Sequence, residues 1–240
     1  PADSNGDNVY AYSIVIDDGV NSASATTYAI TVADLNDQTP AVSVASTYNH
    51  AEAAATTFQT YTIVDSDTSG TYACSLGGTD AADFSASISG KVCTVVWAAN
   101  PDYESPADAN TDNVYDITVA FTDGTNALSA QTTAITVTDA NDQTPAVTVA
   151  ATYSQAEASA TTFQTFTIVD SDTSGTYACS LGGTDAADFS ASISGKVCTV
   201  VWAAAPDYDS PADAGTNNVY DITVSFTDGT NALGAQTTAI

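Results

Sequence analysis

The stretch VYDITVAF, residues 114–121, alternates apolar and polar side chains with a period of two. On an extended strand this alternation puts the apolar residues on one face, whereas Asp116 and Thr118 point the other way. The apolar face consists of Tyr115, Ile117, Val119 and Phe121. The pattern predicts a strand with one buried face, and no part of the chain keeps a helical period. We therefore predict an all-β protein.

Similar runs rich in Val, Ile, Thr and aromatic residues recur through the chain and are separated by Gly, Pro, Asp and Ser. Seven of them fall within one repeat, which predicts a seven-stranded Greek-key β-sandwich of the immunoglobulin-like type. The predicted strands lie near residues 41–44, 58–64, 71–76, 84–88, 92–97, 114–121 and 128–137.

The chain repeats itself. Residues 38–142 and 143–240 are nearly identical in sequence, and residues 1–37 match the end of the same repeating unit. Within residues 56–99 the second copy differs only where Tyr61 is replaced by Phe. We predict the last strands of a preceding repeat, one complete repeat, and one repeat that ends just before its linker. Because both ends fall inside the repeating unit, we expect a window from a longer array.

The charge of the chain is strongly negative. Two Lys and no Arg face 29 acidic residues, for a net charge of -27. Nucleic acid and anionic membrane are excluded as direct partners because both would be repelled, and no hydrophobic span predicts membrane insertion. Cations are the expected partners, since carboxylates at this density resist compaction until they are neutralised. With 44% hydrophobic residues, each complete repeat has enough apolar material for its own core.

Each complete repeat carries two cysteines at the same spacing, Cys74 with Cys93 and Cys179 with Cys198. An even count predicts one disulfide per repeat and an extracellular setting. The alternative is two buried free thiols in each repeat. Period-two alternation puts Cys74 and Cys93 on inward faces, beside Trp97. A disulfide closing this loop would stabilise the fold by roughly 3 kcal/mol on the chain-entropy model.

Acidic residues gather where the predicted strands end. The segment DANDQTP, residues 139–145, lies between the repeats and has a copy, DLNDQTP, at residues 34–40. The loop Asp65-Ser66-Asp67 brings two carboxylates where they can converge on one cation. The other acidic positions of the first repeat are Glu52, Asp102, Glu104 and Asp123. A solvated acidic surface is the alternative to a cation site.

Together these motifs resemble the cadherin repeat, in particular the cadherin-like repeats of large bacterial surface proteins. The resemblance covers the whole chain and rests on the D-x-N-D-x-x-P linker, the D-x-D loop, the D-Y-E segment and the D-G turn, in that order. It implies calcium ions shared where two repeats meet. The complete junction would use Glu52, Asp102, Glu104, Asp139, Asn141, Asp142, Asp170, Asp172 and Asp228. The first linker would use Asp34, Asn36, Asp37, Asp65, Asp67 and Asp123, and a junction after the second repeat would use Glu157, Asp207 and Asp209.

The charge of the complete junction supports a cation site. Eight of its nine side chains are carboxylates, and two like charges about 5 Å apart repel by roughly 3 kcal/mol at an effective dielectric near 20. Roughly three divalent ions would neutralise most of this charge. Calcium accepts about six to eight oxygen ligands, whereas magnesium demands a stricter octahedron. We therefore expect Ca²⁺.

Two features depart from the regular pattern. Asp209 stands where the first repeat has Glu104, so the junction after the second repeat is expected to bind calcium more weakly. A further acidic loop begins at Asp3 and contains Asn5 and Asp7, with copies at residues 108–112 and 213–217. Its alternating oxygen ligands predict either a second calcium loop or an Asx-rich turn.

No catalytic constellation recurs, so we predict no enzyme activity. The single histidine, His50, is Gln155 in the second repeat, and no nucleophile and base recur together. His50 is expected to be an exposed loop residue. Asp102 and Glu104 have the make-up of a glycosidase pair, but their place in a repeated acidic cluster favours calcium binding.

Near-identity of the repeats favours a structural role. Tandem β-sandwiches clamped by calcium form a rod whose stiffness depends on the ion. We expect an extracellular filament or an adhesin stalk at the cell surface that associates with further copies of itself. The alternative is an adhesion module that recognises another copy or a glycan. The copies carry no distinguishing motif, which favours a spacer.

Overall fold

The computed structural model describes residues 5–157 and 161–240. It begins with an antiparallel hairpin of β1 (Val9–Ile14) and β2 (Thr26–Thr31). Tyr12 and Tyr28 stack across the hairpin with their ring centroids 5.5 Å apart. Ile30 is 55% exposed, although the matching Ile135 of the complete repeat is fully buried. Two strands alone bury no core.

The seven strands that follow form two sheets. One sheet has the order β3-β9-β8-β5 and the other has the order β4-β7-β6. A single turn of 3-10 helix, Ala81–Asp83, precedes β6. The strands are β3 (Thr47–Ala51), β4 (Thr57–Thr62), β5 (Ala73–Gly77), β6 (Phe84–Ser89), β7 (Val92–Trp97), β8 (Val114–Thr122) and β9 (Ala127–Thr138).

The second repeat forms two sheets of three antiparallel strands, with the orders β10-β13-β12 and β11-β14-β15. Thr152 adds an isolated parallel bridge to Ala239. Among the described residues, no helix is long and apolar enough to cross a membrane. The strands are β10 (Thr162–Thr167), β11 (Ala178–Gly182), β12 (Phe189–Ser194), β13 (Val197–Trp202), β14 (Asp221–Thr227) and β15 (Ala232–Ala239).

The prediction for the first strand of the repeat is wrong. Ala41 forms only an isolated bridge to Val64, and the first sheet strand is β3. β3 contains the polar residues Asn49 and His50, so its sequence lacks the run of apolar residues that predicts a strand. His50 lies in this strand and is half-buried, so the expectation of an exposed loop residue is also wrong. Burial lowers the pKa of the His50 imidazole.

The alternation predicted for β8 is confirmed. Its inward residues, Tyr115, Ile117, Val119 and Phe121, are each at most 2% exposed, and Asp116 faces solvent. Aromatic rings fill the interior, since the ring centroid of Trp97 lies 4.2 Å from that of Phe84 and 4.9 Å from that of Tyr115. Trp202 makes the same two contacts in the second repeat. The inward face of the predicted strand is therefore the core of the fold.

Both predicted disulfides are present, and no free thiol occurs among the described residues. Cys74 lies on β5 of the four-stranded sheet and Cys93 on β7 of the three-stranded sheet. The disulfide therefore joins the two sheets. Trp97 lies on the buried face that Cys93 belongs to.

By its internal contacts the chain divides into two compact units. The first contains residues 1–48, 55–99 and 115–135, and the second contains residues 49–54, 100–114 and 136–240. Three segments of the first repeat therefore fold together with the second repeat. They carry the acidic residues Glu52, Asp102, Glu104, Asp139 and Asp142. The repeat boundaries at residues 37 and 142 stay a prediction from the sequence.

Candidate metal centre

The second unit contains three overlapping groups of carboxylates. Within each group the candidate ligand atoms lie within 4.8 Å of one another. The groups are Glu52, Glu104 and Asp142; Glu104, Asp139 and Asp172; and Asp170, Asp172 and Asp228. Glu104 belongs to the first two groups and Asp172 to the last two, so the three groups form one continuous site. We call these seven carboxylates the junction cluster.

Glu52 ties three chain segments together. It follows β3, and its own N–H donates to the carbonyl oxygen of Thr138, 3.2 Å away. Its Oε1 atom accepts a hydrogen bond from the N–H of Ala140 at 2.6 Å, and its Oε2 atom accepts one from the N–H of Tyr103. The side chain is only 4% exposed. Glu52 therefore fixes the linker and the D-Y-E segment against the end of β3.

Glu104 is the residue of the cluster whose two carboxylate oxygens both lack a hydrogen-bond donor among the described residues. Both of these oxygens are buried. Burial, and then the charge of Glu52, raises the pKa of Glu104 to about 7. Asp139 lies beside it, and two carboxyl groups can form a hydrogen bond only when one of them is protonated; the pKa of Glu104 is raised and that of Asp139 is lowered, so Glu104 would carry the proton. A cation between them would replace that proton.

Asp139 is held by the repeat that follows it. Its Oδ2 atom accepts hydrogen bonds from the N–H of Thr173 at 2.9 Å, from the Thr173 hydroxyl, and from the N–H of Ser174 at 3.1 Å. Its Oδ1 atom is buried without a donor among the described residues. Burial alone would raise the pKa of Asp139, but the Thr173 donors lower it on balance. One oxygen is thus anchored, and the other belongs to the cluster.

The D-x-D loop and the D-G turn contribute three more carboxylates. Asp170 and Asp228 each use Oδ1 to accept main-chain N–H groups, those of Asp172 and of Thr230 and Asn231 respectively. Asp172 accepts the N–H of Gln143 through Oδ2 at 2.9 Å. Burial, and then the charge of Asp170, raises the pKa of Asp172. Main-chain donors therefore orient these side chains, and they approach one another despite their charge.

Asn141 packs against the D-G turn. Its side-chain amide donates to the carbonyl oxygen of Asp228 at 3.4 Å, and the amide of Asn231 donates to the side-chain oxygen of Asn141 at 3.3 Å. Gly175 lies close by with φ of 157°, and a Cβ atom there would lie 3.3 Å from the carbonyl oxygen of Asp228 and 3.4 Å from the Asn141 amide nitrogen. The positive φ, together with the close approach of the D-G turn, therefore favours glycine at position 175.

The first unit repeats this geometry. Asp65, Asp67 and Asp123 form a group within 4.8 Å. The Oδ2 atom of Asp34 accepts the N–H and the hydroxyl of Thr68 at 2.7 and 2.8 Å. The same sequence motifs thus place their aspartates in the same way in both units.

Some predicted ligands lie outside the carboxylate groups that the described residues form. Asp102 and Asp207 each accept the N–H groups of the next turn through Oδ1, at 3.0 to 3.2 Å. Glu157 accepts the N–H of Tyr208 at 3.0 Å and is exposed. Asn36 donates to the Thr125 hydroxyl, Asp37 accepts from the Gln38 side-chain amide, and the N–H of Asp209 donates to Asp207. The other predicted positions outside these groups are Asp34 and Asn141, whose contacts are given above.

The additional acidic loop has the geometry of a turn. Asp108 is 2% exposed, and its two carboxylate oxygens accept the N–H groups of Asp112 and Asn113 at 2.9 and 3.2 Å. Asp213 repeats these bonds in the second copy. No carboxylate group within 4.8 Å involves these loops in the described part of the chain. The geometry favours the Asx-rich turn, and Asp3 of the earliest copy lies outside the described residues.

Several residues that support the site were missed from the sequence. Thr68 and Thr173 donate to the first Asp of each linker. The sequence feature that could have indicated this role is the Thr-Ser-Gly motif directly after each D-x-D loop. Asp80 and Asp185 are buried and accept the N–H groups of Asp116 and Asp221 at 2.7 Å. Nothing in their sequence surroundings separates them from the predicted calcium ligands.

The donor set fits a hard divalent cation. The ligand atoms offered are carboxylate oxygens, several of them buried with no hydrogen-bond donor, as at Glu104. Calcium binds about six to eight such oxygens with flexible geometry, whereas zinc prefers nitrogen and sulfur ligands. The junction cluster could therefore hold a divalent cation, whose charge would offset part of its own.

Comparison with solved structures identifies the fold. Cadherin domains 1–4 of the extracellular region of protocadherin gamma B7 match 100% of this chain with a TM-score of 0.59 and 23% identity. The extracellular domain of protocadherin gamma B4 matches 99% with a TM-score of 0.60 and 20% identity. Domains 1–3 of mouse protocadherin gamma C3 match 96% at 0.57 and 17% identity.

The fold is that of cadherin domains. The chain spans 58% of the matched protocadherin gamma B7 fragment and 37% of the protocadherin gamma B4 domain. No protein-family model and no curated protein matches the sequence.

Proposed function

We propose that this protein is a non-catalytic, calcium-stiffened segment of an extracellular filament or adhesin stalk. The observation that carries the proposal is the Glu104 carboxylate, which is buried among acidic side chains with no hydrogen-bond donor in the described structure. Such a group is stable only when it takes up a proton or a cation. The acidic content of the chain and the fold it shares with cadherin domains favour calcium.

The junction cluster explains why the ion would stiffen the chain. Its carboxylates come from the end of β3, the D-Y-E segment, the linker and the second repeat. Without an ion, each pair of charges about 4.8 Å apart repels by roughly 3 kcal/mol at an effective dielectric near 20. With calcium bound, the same oxygens share a cation and hold these segments together. Bound calcium supplies positive charge, and Glu52 and Thr173 orient the segments that receive it.

The stalk role rests on repetition. The two complete repeats are nearly identical and each has a disulfide between its sheets, which suits an extracellular spacer in a large surface protein, bacterial by its resemblance. In this proposal the repeats are residues 38–142 and 143–240, preceded by the end of another in residues 1–37. The ligands are the junction cluster with Asp102 and Asn141. Asp34, Asn36, Asp37, Asp65, Asp67 and Asp123 serve the preceding junction, and Glu157, Asp207 and Asp209 serve the following one.

The test is small-angle scattering and thermal melting of the protein with calcium, with magnesium and after chelation. We expect calcium to extend the particle and to raise the melting temperature, and magnesium to do much less. Glu104→Gln should lose most of the calcium response. The matched control is Asp18→Asn, which removes the same charge from an exposed aspartate outside the carboxylate groups of the described residues. Indifference of both properties to calcium would refute the proposal.

Calcium-dependent adhesion between copies is a second candidate. It is favoured by one of the structural matches, a cis-dimer of protocadherin gamma B7 domains 3–6, with a TM-score of 0.59 and 21% identity. Sedimentation equilibrium with calcium and with chelator separates the two functions. A calcium-dependent dimer at micromolar concentration would favour adhesion, and a monomer in both conditions would favour the stalk.

A further inference from the structure

The two lysines of this chain occupy the same position in the two complete repeats. Lys196 follows Gly195 in the turn between β12 and β13, and Lys91 follows Gly90 in the turn between β6 and β7. Both are half-buried. Because the sequence has no Arg and no further Lys, the position of these two charges is a specific feature of the protein.

Each lysine binds the main chain of the D-x-D loop. The Nζ atom of Lys196 donates to the carbonyl oxygens of Asp170 at 2.8 Å and Asp172 at 3.4 Å. Lys91 makes the same bonds to Asp65 at 2.9 Å and Asp67 at 3.3 Å. Each ammonium group also lies 5.2 Å from the centroid of a tyrosine ring, Tyr177 or Tyr72. Two of its three donors thus reach carbonyl oxygens and an aromatic face covers it.

The residues that Lys196 contacts are two carboxylate donors of the junction cluster. Asp170 and Asp172 give their carbonyl oxygens to the ammonium group, and their side chains lie within 4.8 Å of Asp228. The loop between Asp170 and Thr173 belongs to no strand, so no sheet ladder fixes its main chain. The ammonium group holds its Asp170 and Asp172 carbonyl oxygens, while Asp139 holds the N–H groups of Thr173 and Ser174, and both carboxylates of the loop are left to the cluster. Its charge also offsets part of the repulsion among the three carboxylates.

We propose that Lys91 and Lys196 are positioning residues of the cation sites. Each holds the D-x-D loop so that the two carboxylates are in place before an ion binds. The calcium part of this inference rests on the proposed function. The effect on the loop does not, because the hydrogen bonds to the carbonyl oxygens need no ion.

The test is amide hydrogen exchange of Lys196→Met, which keeps the apolar stem and removes the donors, measured in chelator. Exchange across residues 170–174 should become at least about tenfold faster, the size expected for losing a charge-assisted hydrogen bond. Residues 65–69 of the same molecule are the matched control and should not change. The two loops are identical in sequence. The peptides used to measure exchange must therefore include Tyr61 or Phe166, so that their masses differ.

Three further measurements complete the experiment. Lys91→Met should reverse the pattern, and Lys196→Arg, which keeps charge and donors, should exchange like the unmodified protein. Calorimetric titration of Lys196→Met should give roughly tenfold weaker calcium binding with unchanged stoichiometry. Unchanged exchange at residues 170–174 would overturn the proposal, as would calcium affinity equal to or tighter than that of the unmodified protein. If the unmodified protein binds no calcium, the proposed function fails, and the exchange data alone decide the role of the lysine.

Discussion

Thr173 donates two hydrogen bonds to one atom of Asp139, the Oδ2 of its carboxylate, from the main-chain N–H and from the hydroxyl. Thr68 and Asp34 are related in the same way. The first aspartate of each linker is therefore tied to the repeat that follows it by bonds that need no ion. These bonds orient the carboxylate, and the buried Oδ1 atom of Asp139 remains for the cluster.

Replacing Thr173 by Val should weaken this bond without removing bulk. The variant loses the hydroxyl donor to Asp139 but keeps the main-chain donor, so the free energy of unfolding should fall by about 1 kcal/mol. Thr173→Ser keeps the hydroxyl and is the control. Denaturant unfolding should show the loss both with calcium and in chelator. No loss in either condition would show that the main-chain donor of Thr173 is enough to orient Asp139.

Replacing Glu52 by Gln should be more damaging. Glu52 accepts two main-chain N–H groups through its two oxygens, and a Gln side chain has one oxygen, so one buried N–H would face an NH₂ group. We expect the free energy of unfolding in chelator to fall by about 2 kcal/mol. The matched control is Glu157→Gln, which accepts one N–H at an exposed site and should change stability little. Equal effects at the two positions would contradict the role assigned to Glu52.

The metal-free protein should lose stability as pH rises toward neutrality. The pKa of Glu104 is raised from 4.5 to about 7, chiefly by burial and then by the charge of Glu52. The folded state therefore holds a proton that the unfolded chain has lost, and this stabilisation is full below pH 4.5 and disappears by about pH 7. In chelator the melting temperature should fall across this window, and Glu104→Gln should flatten the slope. A slope that is unchanged in the variant would assign the effect to other groups.

Calcium should reverse this trend. Binding an ion at Glu104 displaces its proton, so apparent calcium affinity should rise between pH 5 and 7, the window in which Glu104 titrates toward its pKa of about 7. Calorimetry in two buffers of different ionisation enthalpy would measure the protons released. Release of no proton near pH 6 would mean that Glu104 is not a ligand.

The disulfides should contribute equally. Each closes a loop with a sequence separation of 19 between strands of different sheets. Replacing both cysteines of one repeat by Ser should lower the free energy of unfolding of that repeat by roughly 3 kcal/mol. The Cys74 with Cys93 pair and the Cys179 with Cys198 pair are controls for each other, because the enclosed sequences are identical. A large difference between them would show that unequal surroundings outweigh loop closure.

The strands were predictable where the sequence alternates strictly. β8 and β7 bury every second residue, as their apolar and polar letters indicate. β3 was missed because its sequence, TYNHA, is polar, and its place in the sheet comes from its pairing with β9. Conversely, residues 41–44 alternate like a strand, yet Ala41 forms only a single bridge, to Val64. Pairing partners decide such short segments, and a local pattern does not contain them.

The metal site, like the strands, was predictable from the sequence only in part. The D-x-D loop, the linker and the D-Y-E segment could be singled out by composition. Asp80 and Asp102 look the same in the sequence, but they lie outside the carboxylate groups that the described residues form. Asp80 supports β8 by accepting the N–H of Asp116, and Asp102 shapes its own turn. A carboxylate joins the cluster only where its chain segment folds beside the other acidic segments. That proximity depends on tertiary contacts, which a local sequence pattern does not contain.

The sequence by itself determined the all-β class, the repeat and the excess of oxygen ligands at the strand ends, because alternation, composition and spacing can be read directly from the residues. It favoured one disulfide per repeat, and the structure decided against free thiols. Only the tertiary structure decided which carboxylates meet. Glu52, Glu104, Asp139 and Asp172 come from four separate segments of the chain. Main-chain donors such as Thr173 and the ammonium group of Lys196 hold those segments in place. Like charges do not gather unless other contacts bring them together, and those contacts exist only in the folded chain.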